Sequence, residues 1–352
     1  MEMYEDKIEM FNFDREERIN KERIRRLASW YRGKREAPFQ IDAELHKRCN
    51  LRCLFCARYF EHEKLNKDSI KYELLPEKWL EIAEESAEMN VMVFNIEGIN
   101  EPLAAPEIFF PLIKRIKELG LYGIVTTNGT LWKEEQLKEL VEMSWDRIHF
   151  SIHSSTPKIH DKLTGVKGSF EKAVENIKIL NKWRKKLKSE RPMLNINVCV
   201  NRLNFQELPK IVKLAKKLEA NYIFTEPLMV YTEVGGKLKP KGKELDQLSK
   251  FVEKAKRLAD DFKIDNNFAT QDKNLEKEIV EKTSDMEKLL LGDVKNSSKD
   301  LLSAPCFKPW ERIAIRFNGL TGHCGFVEEG ENVKEKSLKE IWFGEIFERA
   351  RK

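Results

Sequence analysis

Short segments typical of β-strands alternate with helical segments over residues 39–228. The helical segments repeat apolar residues at a spacing of three and four, as in PEKWLEIAEESAEMN at 76–90. Six strand and helix alternations predict a parallel sheet of βα units, either an open doubly wound sheet or a barrel. The predicted strands are FQIDAEL (39–45), VMVFNIEG (91–98), LYGIVTTN (121–128), RIHFSIH (147–153), LNINVCVN (194–201) and YIFTEPL (222–228).

Two of these strands have one polar face. In LNINVCVN the residues Asn195, Asn197 and Cys199 alternate with apolar residues, and RIHFSIH alternates in the same way. Strands inside an open parallel sheet are buried on both faces and are mostly apolar throughout. A polar inner face therefore favours a barrel that is incompletely filled and encloses a ligand-sized lumen.

The pattern divides the chain into four predicted segments. Residues 1–36 form a helical extension, and residues 37–235 form the barrel. Residues 236–300 form a charged helical connection, with helices predicted at 239–262 and 276–292. Residues 301–352 form a small C-terminal domain that contains Cys306 and Cys324.

Composition and charge narrow the class of protein. The chain has 352 residues, of which 41% are hydrophobic, and its N-terminus is too charged for a signal peptide. A cytoplasmic protein without a membrane partner is expected. The net charge of +5 is a small difference between 64 basic and 59 acidic residues that are interspersed. Nucleic acid is therefore not expected as a partner.

Three of the six cysteines lie within the eleven residues HKRCNLRCLFC at 46–56. Cys49, Cys53 and Cys56 follow the first predicted strand, and barrels carry their active sites at the carboxyl ends of the strands. In a reducing compartment clustered cysteines bind metal more often than they form disulfides. Zinc would take His46 as a fourth ligand, whereas a 4Fe-4S cluster on three cysteines leaves one iron open. Three structural thiols are the remaining alternative.

The spacing Cys49-x3-Cys53-x2-Cys56, with Phe55 before the last cysteine, resembles the cluster loop of radical S-adenosylmethionine enzymes. The resemblance implies a partial (β/α)6 barrel and a 4Fe-4S cluster whose open iron binds S-adenosylmethionine. It also implies the chemistry of an oxidoreductase. An electron from the cluster cleaves the cofactor to a 5'-deoxyadenosyl radical, which abstracts hydrogen from a substrate.

Further motifs of that family have counterparts after the later strands. EGINEPL at 97–103 is similar to the turn that receives the cofactor's ammonium, which assigns Gly98 and Glu101 to cofactor binding. TTNGT at 126–130 and FSIHSSTP at 150–157 extend the resemblance, which implies that Thr127, Asn128 and Ser151 line the cofactor.

The chain departs from the family pattern at three of these positions. Asn100 replaces a glycine and His153 replaces an aspartate. Thr164 replaces an arginine that pairs with the cofactor's carboxylate. A hydroxyl cannot act as a guanidinium, so either Lys162 or Lys167 takes that role or the carboxylate is bound differently.

The C-terminal segment CFKPWERIAIRFNGLTGHC followed by SLKEIW resembles the SPASM and twitch extensions of the same superfamily. The resemblance implies a second iron-sulfur cluster on Cys306 and Cys324. Two cysteines cannot hold a conventional cluster alone. Three alternatives follow: further ligands lie beyond residue 352, His323 or a partner completes the site, or the extension has lost its cluster. Two structural thiols are the other interpretation.

The resemblance also implies partners. A ribosomally made peptide or protein is the expected substrate, as in anaerobic sulfatase-maturating enzymes and thioether-forming maturases, with a ferredoxin- or flavodoxin-like electron donor. A small-molecule dehydrogenase of the twitch type is an alternative. A non-catalytic, metal-stabilised binding protein is the alternative from another class.

Overall fold

The computed structural model describes residues 11–268, 306–324 and 330–352. Its strands are β1 (Gln40–Ala43), β2 (Val93–Ile96), β3 (Tyr122–Thr127), β4 (Arg147–Ser151), β5 (Met193–Val200), β6 (Tyr222–Pro227), β7 (Asp265–Asn266), β8 (Arg312–Ile315) and β9 (Thr321–Gly322). Its helices are α1 (Phe11–Tyr31), α2 (His62–Asp68), α3 (Pro76–Glu88), α4 (Pro106–Glu118), α5 (Glu134–Glu142), α6 (Pro157–Thr164), α7 (Ser169–Lys186), α8 (Leu208–Lys217), α9 (Glu233–Gly236), α10 (Lys243–Asp261), α11 (Lys308–Glu311), α12 (Leu338–Trp342) and α13 (Glu345–Arg351).

The described strands form one sheet in the order β7-β6-β5-β4-β3-β2-β1-β8-β9. All neighbouring strands are parallel except β9, which runs antiparallel to β8. The six strands predicted over residues 39–228 correspond to β1–β6. Since β7 and β9 stand at opposite ends of the strand order, the structure confirms a barrel-like sheet that is not closed.

The two faces of the sheet differ in polarity, as the alternation predicts. Ile41, Phe94 and Ile196 are buried under the surrounding helices and belong to the main hydrophobic core. On the opposite face, Asp42 stands beside Asn95 and His149 stands beside Asn195 in the strand register. The inner face of the barrel is therefore lined with polar side chains.

Helix α1 covers the end of the barrel where the strands begin. Glu16 binds the Tyr122 hydroxyl and forms an ion pair of 2.8 Å with Arg147. Asp146 is fully buried in the same region. Its carboxylate pairs with three cations, namely Lys117 at 2.6 Å, Arg15 at 3.0 Å and Arg191 at 3.2 Å. The predicted N-terminal extension thus lies at the end opposite to the cysteine loop.

The C-terminal segment shares the sheet with the barrel. β8 pairs with β1 over four residues, from Gln40 beside Arg312 to Ala43 beside Ile315. Helix α12 is attached to α3, since the backbone N-H of Leu338 donates to Glu85 at 2.6 Å. The predicted helix at 239–262 corresponds to α10, whereas the one at 276–292 lies outside the described residues. The division into four segments stays a prediction.

Candidate metal and cofactor site

The cysteine loop leaves β1 and is fastened on one side by Asn66 of α2. The Asn66 amide accepts from the Cys49 N-H at 3.0 Å and donates to the Cys49 carbonyl at 3.1 Å. Arg58 donates to the same amide at 2.6 Å and to the Ile99 carbonyl at 3.3 Å. Because the Arg58 side chain is buried, it links the cysteine loop to the turn after β2.

Helix α6 fastens the other side of the loop. The N-H groups of Arg52 and Leu54 donate to the last carbonyls of the helix, at 2.9 and 2.8 Å. Gly165 ends the helix with a φ of 71°, and a Cβ there would stand 2.6 Å from the Arg52 carbonyl oxygen. The close contact between loop and helix therefore requires glycine at this position.

The three thiols are protonated without a metal. Burial raises the pKa of Cys49 to about 11, and it also raises the pKa of Cys53 and Cys56. Metal binding would therefore have to displace protons. In the described part of the chain, no three Cys, His, Asp or Glu side chains converge on one point as they do around a single ion. An iron-sulfur cluster does not require such convergence, because each thiolate binds a different iron.

His46 is not available as a fourth ligand. Its ring is buried, Nδ1 accepts from the Arg48 N-H at 3.0 Å, and Nε2 lies 3.3 Å from the Pro102 carbonyl oxygen. Nε2 therefore carries the proton. Burial lowers the pKa of His46 to about 4, so the ring is neutral at pH 7. The donor set fits a 4Fe-4S cluster on three thiolates and does not fit zinc with His46 as ligand.

Glu101 lies directly behind the cysteine loop and is fully buried. Its carboxylate accepts from the Thr127 hydroxyl at 2.7 Å, the Asn128 N-H at 2.6 Å and the Leu103 N-H at 3.4 Å. Burial raises the pKa of Glu101 to about 7, against the effect of these three donors. The carboxylate therefore joins the ends of β2 and β3. Its contact with the cofactor's ammonium stays a prediction.

Thr127 and Asn128 serve the same region in different ways. The Thr127 hydroxyl also accepts from the Gly129 N-H at 3.0 Å, and the side chain is buried, so it supports Glu101. The Asn128 amide donates to Asn50 at 2.9 Å and stands 4.0 Å from the Cys49 sulfur. Asn128 thus contacts the cysteine loop. Binding of the cofactor by Thr127 and Asn128 stays a prediction.

The other predicted cofactor residues surround the mouth of the barrel. Gly98 has a φ of 149°, and a Cβ there would stand 2.7 Å from Glu44. Ser151 is on the inner face of β4, and its hydroxyl forms no hydrogen bond within the described residues. The Phe55 ring meets the His153 ring edge to face at 4.8 Å. These positions are compatible with the predicted roles, which the geometry alone does not assign.

The departures from the family pattern have visible local roles. Thr164 is buried at the end of α6, where its hydroxyl bonds to the His160 carbonyl at 3.1 Å and to Ser169 at 2.7 Å. His153 Nδ1 accepts from the Cys199 N-H at 3.2 Å. Lys162 and Lys167 are both exposed. Within the described residues, neither lysine forms an ion pair that would fix its side chain in place of the arginine.

The C-terminal cysteines flank the β8–β9 pair at the end where β8 begins. Cys306 is exposed, and Cys324 is half-buried with the Lys308 ammonium 3.9 Å from its sulfur. Burial raises the pKa of Tyr231, with smaller contributions from Cys56, Glu226, Cys199 and Cys324. His323 packs against the Phe347 ring at 6.5 Å. A second cluster on Cys306 and Cys324 stays a prediction.

Several residues of the site were not singled out from the sequence. Asn66 and Arg58 hold the cysteine loop, although neither belongs to a motif. Glu97 and Glu226 point into the lumen, since they continue the inward alternation of β2 and β6. The two glutamates could have been found by extending the polar face of each strand by two residues.

A parallel, incompletely closed barrel with three thiols at the carboxyl ends of its strands defines a class of metal-dependent α/β proteins. Within that class, the chain belongs to the Radical SAM superfamily, whose family model matches residues 44–223. Membership implies an enzyme with a 4Fe-4S cluster and S-adenosylmethionine as cofactors, which agrees with the donor set. No helix in the described part of the chain is long and apolar enough to cross a membrane.

Two relatives illustrate the sequence similarity. The chain is 30% identical over 194 residues to the tungsten-containing aldehyde ferredoxin oxidoreductase cofactor-modifying protein of Pyrococcus furiosus. The aligned region covers 54% of this chain and 51% of that protein. It is 25% identical over 244 residues to the PqqA peptide cyclase of Bradyrhizobium diazoefficiens, and this aligned region covers 67% of this chain and 60% of that protein. The chain therefore spans between half and two thirds of these relatives.

Two solved structures share the fold. SuiB of Streptococcus suis bound to S-adenosylmethionine superposes with a TM-score of 0.68 and 17% identity, over 90% of this chain and 68% of that one. Native anSMEcpe with bound AdoMet superposes with a TM-score of 0.64 and 19% identity, over 89% of this chain and 83% of that one. The partial barrel predicted from the sequence is confirmed by both.

Proposed function

We propose that the chain is a radical S-adenosylmethionine oxidoreductase that modifies a ribosomally made peptide or protein. The observation that carries the chemistry is the set of three thiols without a fourth ligand, since His46 uses both ring nitrogens elsewhere. When bound, the cluster and S-adenosylmethionine together supply a 5'-deoxyadenosyl radical that abstracts hydrogen from the substrate. A reducing compartment such as the cytoplasm suits the free thiols.

The chain's own residues prepare the site for this chemistry. Cys49, Cys53 and Cys56 would hold the cluster as thiolates, each on a different iron, after losing their protons. Asn66 and the end of α6 hold the loop from two sides, so that the thiols keep their spacing. Glu101 fixes the turn after β2, and the proposal assigns the cofactor's ammonium to this turn.

Peptides as substrates are supported by relatives and by the rim of the barrel. The PqqA peptide cyclase is named for a peptide, and SuiB and anSMEcpe have been solved with peptides bound. After β6 the chain exposes three large apolar side chains in succession, namely Met229, Val230 and Tyr231. Exposed apolar side chains beside an open lumen offer a peptide a surface to pack on.

The proposal extends to the electron supply. A reduced ferredoxin- or flavodoxin-like protein would donate the electron for cofactor cleavage. Cys306 and Cys324 would hold a second cluster, completed by His323 or by ligands from outside the described residues. Lys308 stands beside Cys324 and would offset part of the negative charge of such a cluster.

A small molecule is the second candidate substrate. The relative from Pyrococcus furiosus is named for modifying a cofactor, and it is the more similar of the two relatives described above. Incubation of the reconstituted protein with a whole-cell peptide extract or with a metabolite fraction distinguishes the two. The fraction that accelerates 5'-deoxyadenosine release contains the substrate.

Anaerobic reconstitution with iron and sulfide tests the proposed chemistry. We expect a broad charge-transfer absorbance and release of 5'-deoxyadenosine when a reductant and S-adenosylmethionine are added. Cys53→Ala should abolish both, whereas Cys199→Ala should retain the absorbance because Cys199 belongs to β5 and not to the loop. Colourless protein with stoichiometric zinc and no nucleoside product would contradict the proposal.

A further inference from the structure

The inner face of the barrel carries two carboxylates to which the proposed chemistry assigns no role. Glu97 follows β2 and Glu226 stands at the end of β6, in register with Cys199. Both side chains are exposed to solvent, and neither forms an ion pair within the described residues. By contrast, the inward-facing Asp42 pairs with Arg312 at 3.0 Å. Neither glutamate therefore has a directly paired counter-ion within the described residues.

These carboxylates are accessible and yet surrounded by protein. Burial, with smaller contributions from the charges of Asp42 and Glu226, raises the pKa of Glu97 to about 7 against the opposing effects of Asn95 and Arg312. A group that solvent reaches but that protein encloses lies on the wall of a deep cavity. Glu97 follows β2 and Glu226 lies at the end of β6, and because β3, β4 and β5 separate these strands, the two carboxylates stand on different walls of the lumen.

Other charged groups near the pair compensate it only in part. Lys308 of α11 lowers the pKa of Glu226 but forms no ion pair with it within the described residues. Glu44 is paired with Lys47 at 2.9 Å. The lumen therefore retains an excess of negative charge close to the cysteine loop.

Two buried amides of the inner face, on β2 and β5, also lack hydrogen-bond donors. Asn95 is 6% exposed and Asn195 is 3% exposed, and within the described residues the Oδ1 atom of each is buried without a partner. The orientation of Asn95 is fixed because its Nδ2 donates to Asp42 at 3.0 Å. Its Oδ1 is therefore a true acceptor. Buried acceptors are nearly always satisfied in proteins, so these oxygens call for a ligand that donates hydrogen bonds.

We propose that Glu97 and Glu226 form a subsite for a cationic side chain, lysine or arginine, of the peptide substrate. An ammonium offers three donors and a guanidinium offers five, which suits two carboxylates and the Asn95 amide oxygen beside Glu97. An acidic side chain would be repelled from the same place, so the subsite also selects against it. This subsite specifies the substrate of the proposed function further, and it rests on that proposal because it assumes a peptide substrate.

The ammonium of S-adenosylmethionine is the other cation that could reach these carboxylates. The two sources differ in their requirements. A subsite for the substrate binds lysine peptides even when S-adenosylmethionine is saturating. A subsite for the cofactor is then already occupied by the cofactor's ammonium and does not bind them. Measuring the affinities for cofactor and peptide separately distinguishes the two.

The test uses the reconstituted protein saturated with S-adenosylmethionine and two capped pentapeptides, acetyl-Gly-Gly-Lys-Gly-Gly-amide and its norleucine counterpart. Isothermal titration calorimetry measures their affinities for wild type, Glu97→Gln and Glu226→Gln. Glu77→Gln is the matched control, because Glu77 is an exposed acid on α3, outside the lumen. The affinity for S-adenosylmethionine and the release of 5'-deoxyadenosine without peptide are measured in every variant.

We expect tighter binding of the lysine peptide than of the norleucine peptide by wild type and by Glu77→Gln. Each lumen substitution should weaken lysine binding about tenfold and leave norleucine binding unchanged, because one charge-assisted hydrogen bond is lost. Equal affinity of wild type for the two peptides overturns the subsite. A loss of cofactor affinity alone assigns the carboxylates to S-adenosylmethionine and also overturns it. If the wild-type protein released no 5'-deoxyadenosine, the proposed function itself would be rejected.

Discussion

At the scale of single residues, the cysteine loop could be identified from the sequence because its chemistry is contiguous. Three cysteines within eight positions need no knowledge of the fold. The partners of Glu101 could not be predicted in the same way. Thr127 and Asn128 are more than twenty residues away, and they reach the carboxylate only because β2 and β3 are parallel neighbours.

Replacement of Glu101 by glutamine tests this residue. Because one amide nitrogen replaces an acceptor oxygen, it would face Thr127 or Asn128, both of which donate. We expect the free energy of unfolding of the metal-free protein in urea to fall by about 1–3 kcal/mol. Binding of S-adenosylmethionine to the reconstituted variant should also weaken. The exposed Glu118→Gln is the control, and unchanged stability of Glu101→Gln would contradict the role described above.

At the scale of elements, the sequence predicted β1–β6 and the helix over Pro76–Glu88, because their periodicities are regular. It could not predict that β8 lies beside β1. The two strands are four residues long and about 270 residues apart, and nothing local to either strand specifies the pairing. The predicted helix at 276–292 is outside the described residues.

The contact between α6 and the cysteine loop is tested by a pair of glycine substitutions. Gly165→Ala places a Cβ 2.6 Å from the Arg52 carbonyl oxygen, whereas a Cβ at Gly168 meets nothing within 4 Å. Both glycines have positive φ, so both alanines cost about 1 kcal/mol in backbone strain. Only Gly165→Ala should lose iron faster to a chelator, by about tenfold if the clash adds a further 1.4 kcal/mol. Equal rates in the two variants would argue against the contact.

The junction between α1 and the barrel depends on Asp146. Its fully buried carboxylate is paired with Arg15, Lys117 and Arg191, so Asp146→Asn removes the central negative charge from three cations, of which Arg191 keeps Glu16 at 3.8 Å. We expect unfolding in urea to show a loss of about 3–5 kcal/mol. Asp260→Asn, which breaks a surface pair with Lys256, should cost less than about 1 kcal/mol. Similar losses in both variants would exclude a special role for the buried carboxylate.

At the scale of the whole molecule, the C-terminal segment is joined to the barrel through a shared sheet and through α12 against α3. Cys306 precedes β8 and Cys324 follows β9, which runs antiparallel to β8, so both cysteines stand at the end of this strand pair where β8 begins. The sequence predicted the residues concerned but gave no information on this placement.

Iron analysis of a double variant tests the second cluster. Cys306→Ala combined with Cys324→Ala leaves the loop of Cys49, Cys53 and Cys56 intact. If the pair binds a 4Fe-4S cluster, the variant should contain about four fewer iron atoms per chain than wild type. The same measurement on Cys199→Ala provides the control. An unchanged iron content would show that Cys306 and Cys324 are structural.

The pairing of β8 with β1 has a consequence for how the protein is made. β1 leads directly into the cysteine loop, and its open edge is covered only when residues 312–315 have been synthesised. Until then a nascent chain presents an unpaired strand edge that invites aggregation. Fragments that end before Arg312 would keep that edge exposed, so the barrel and its metal loop are best expressed together with the C-terminal segment.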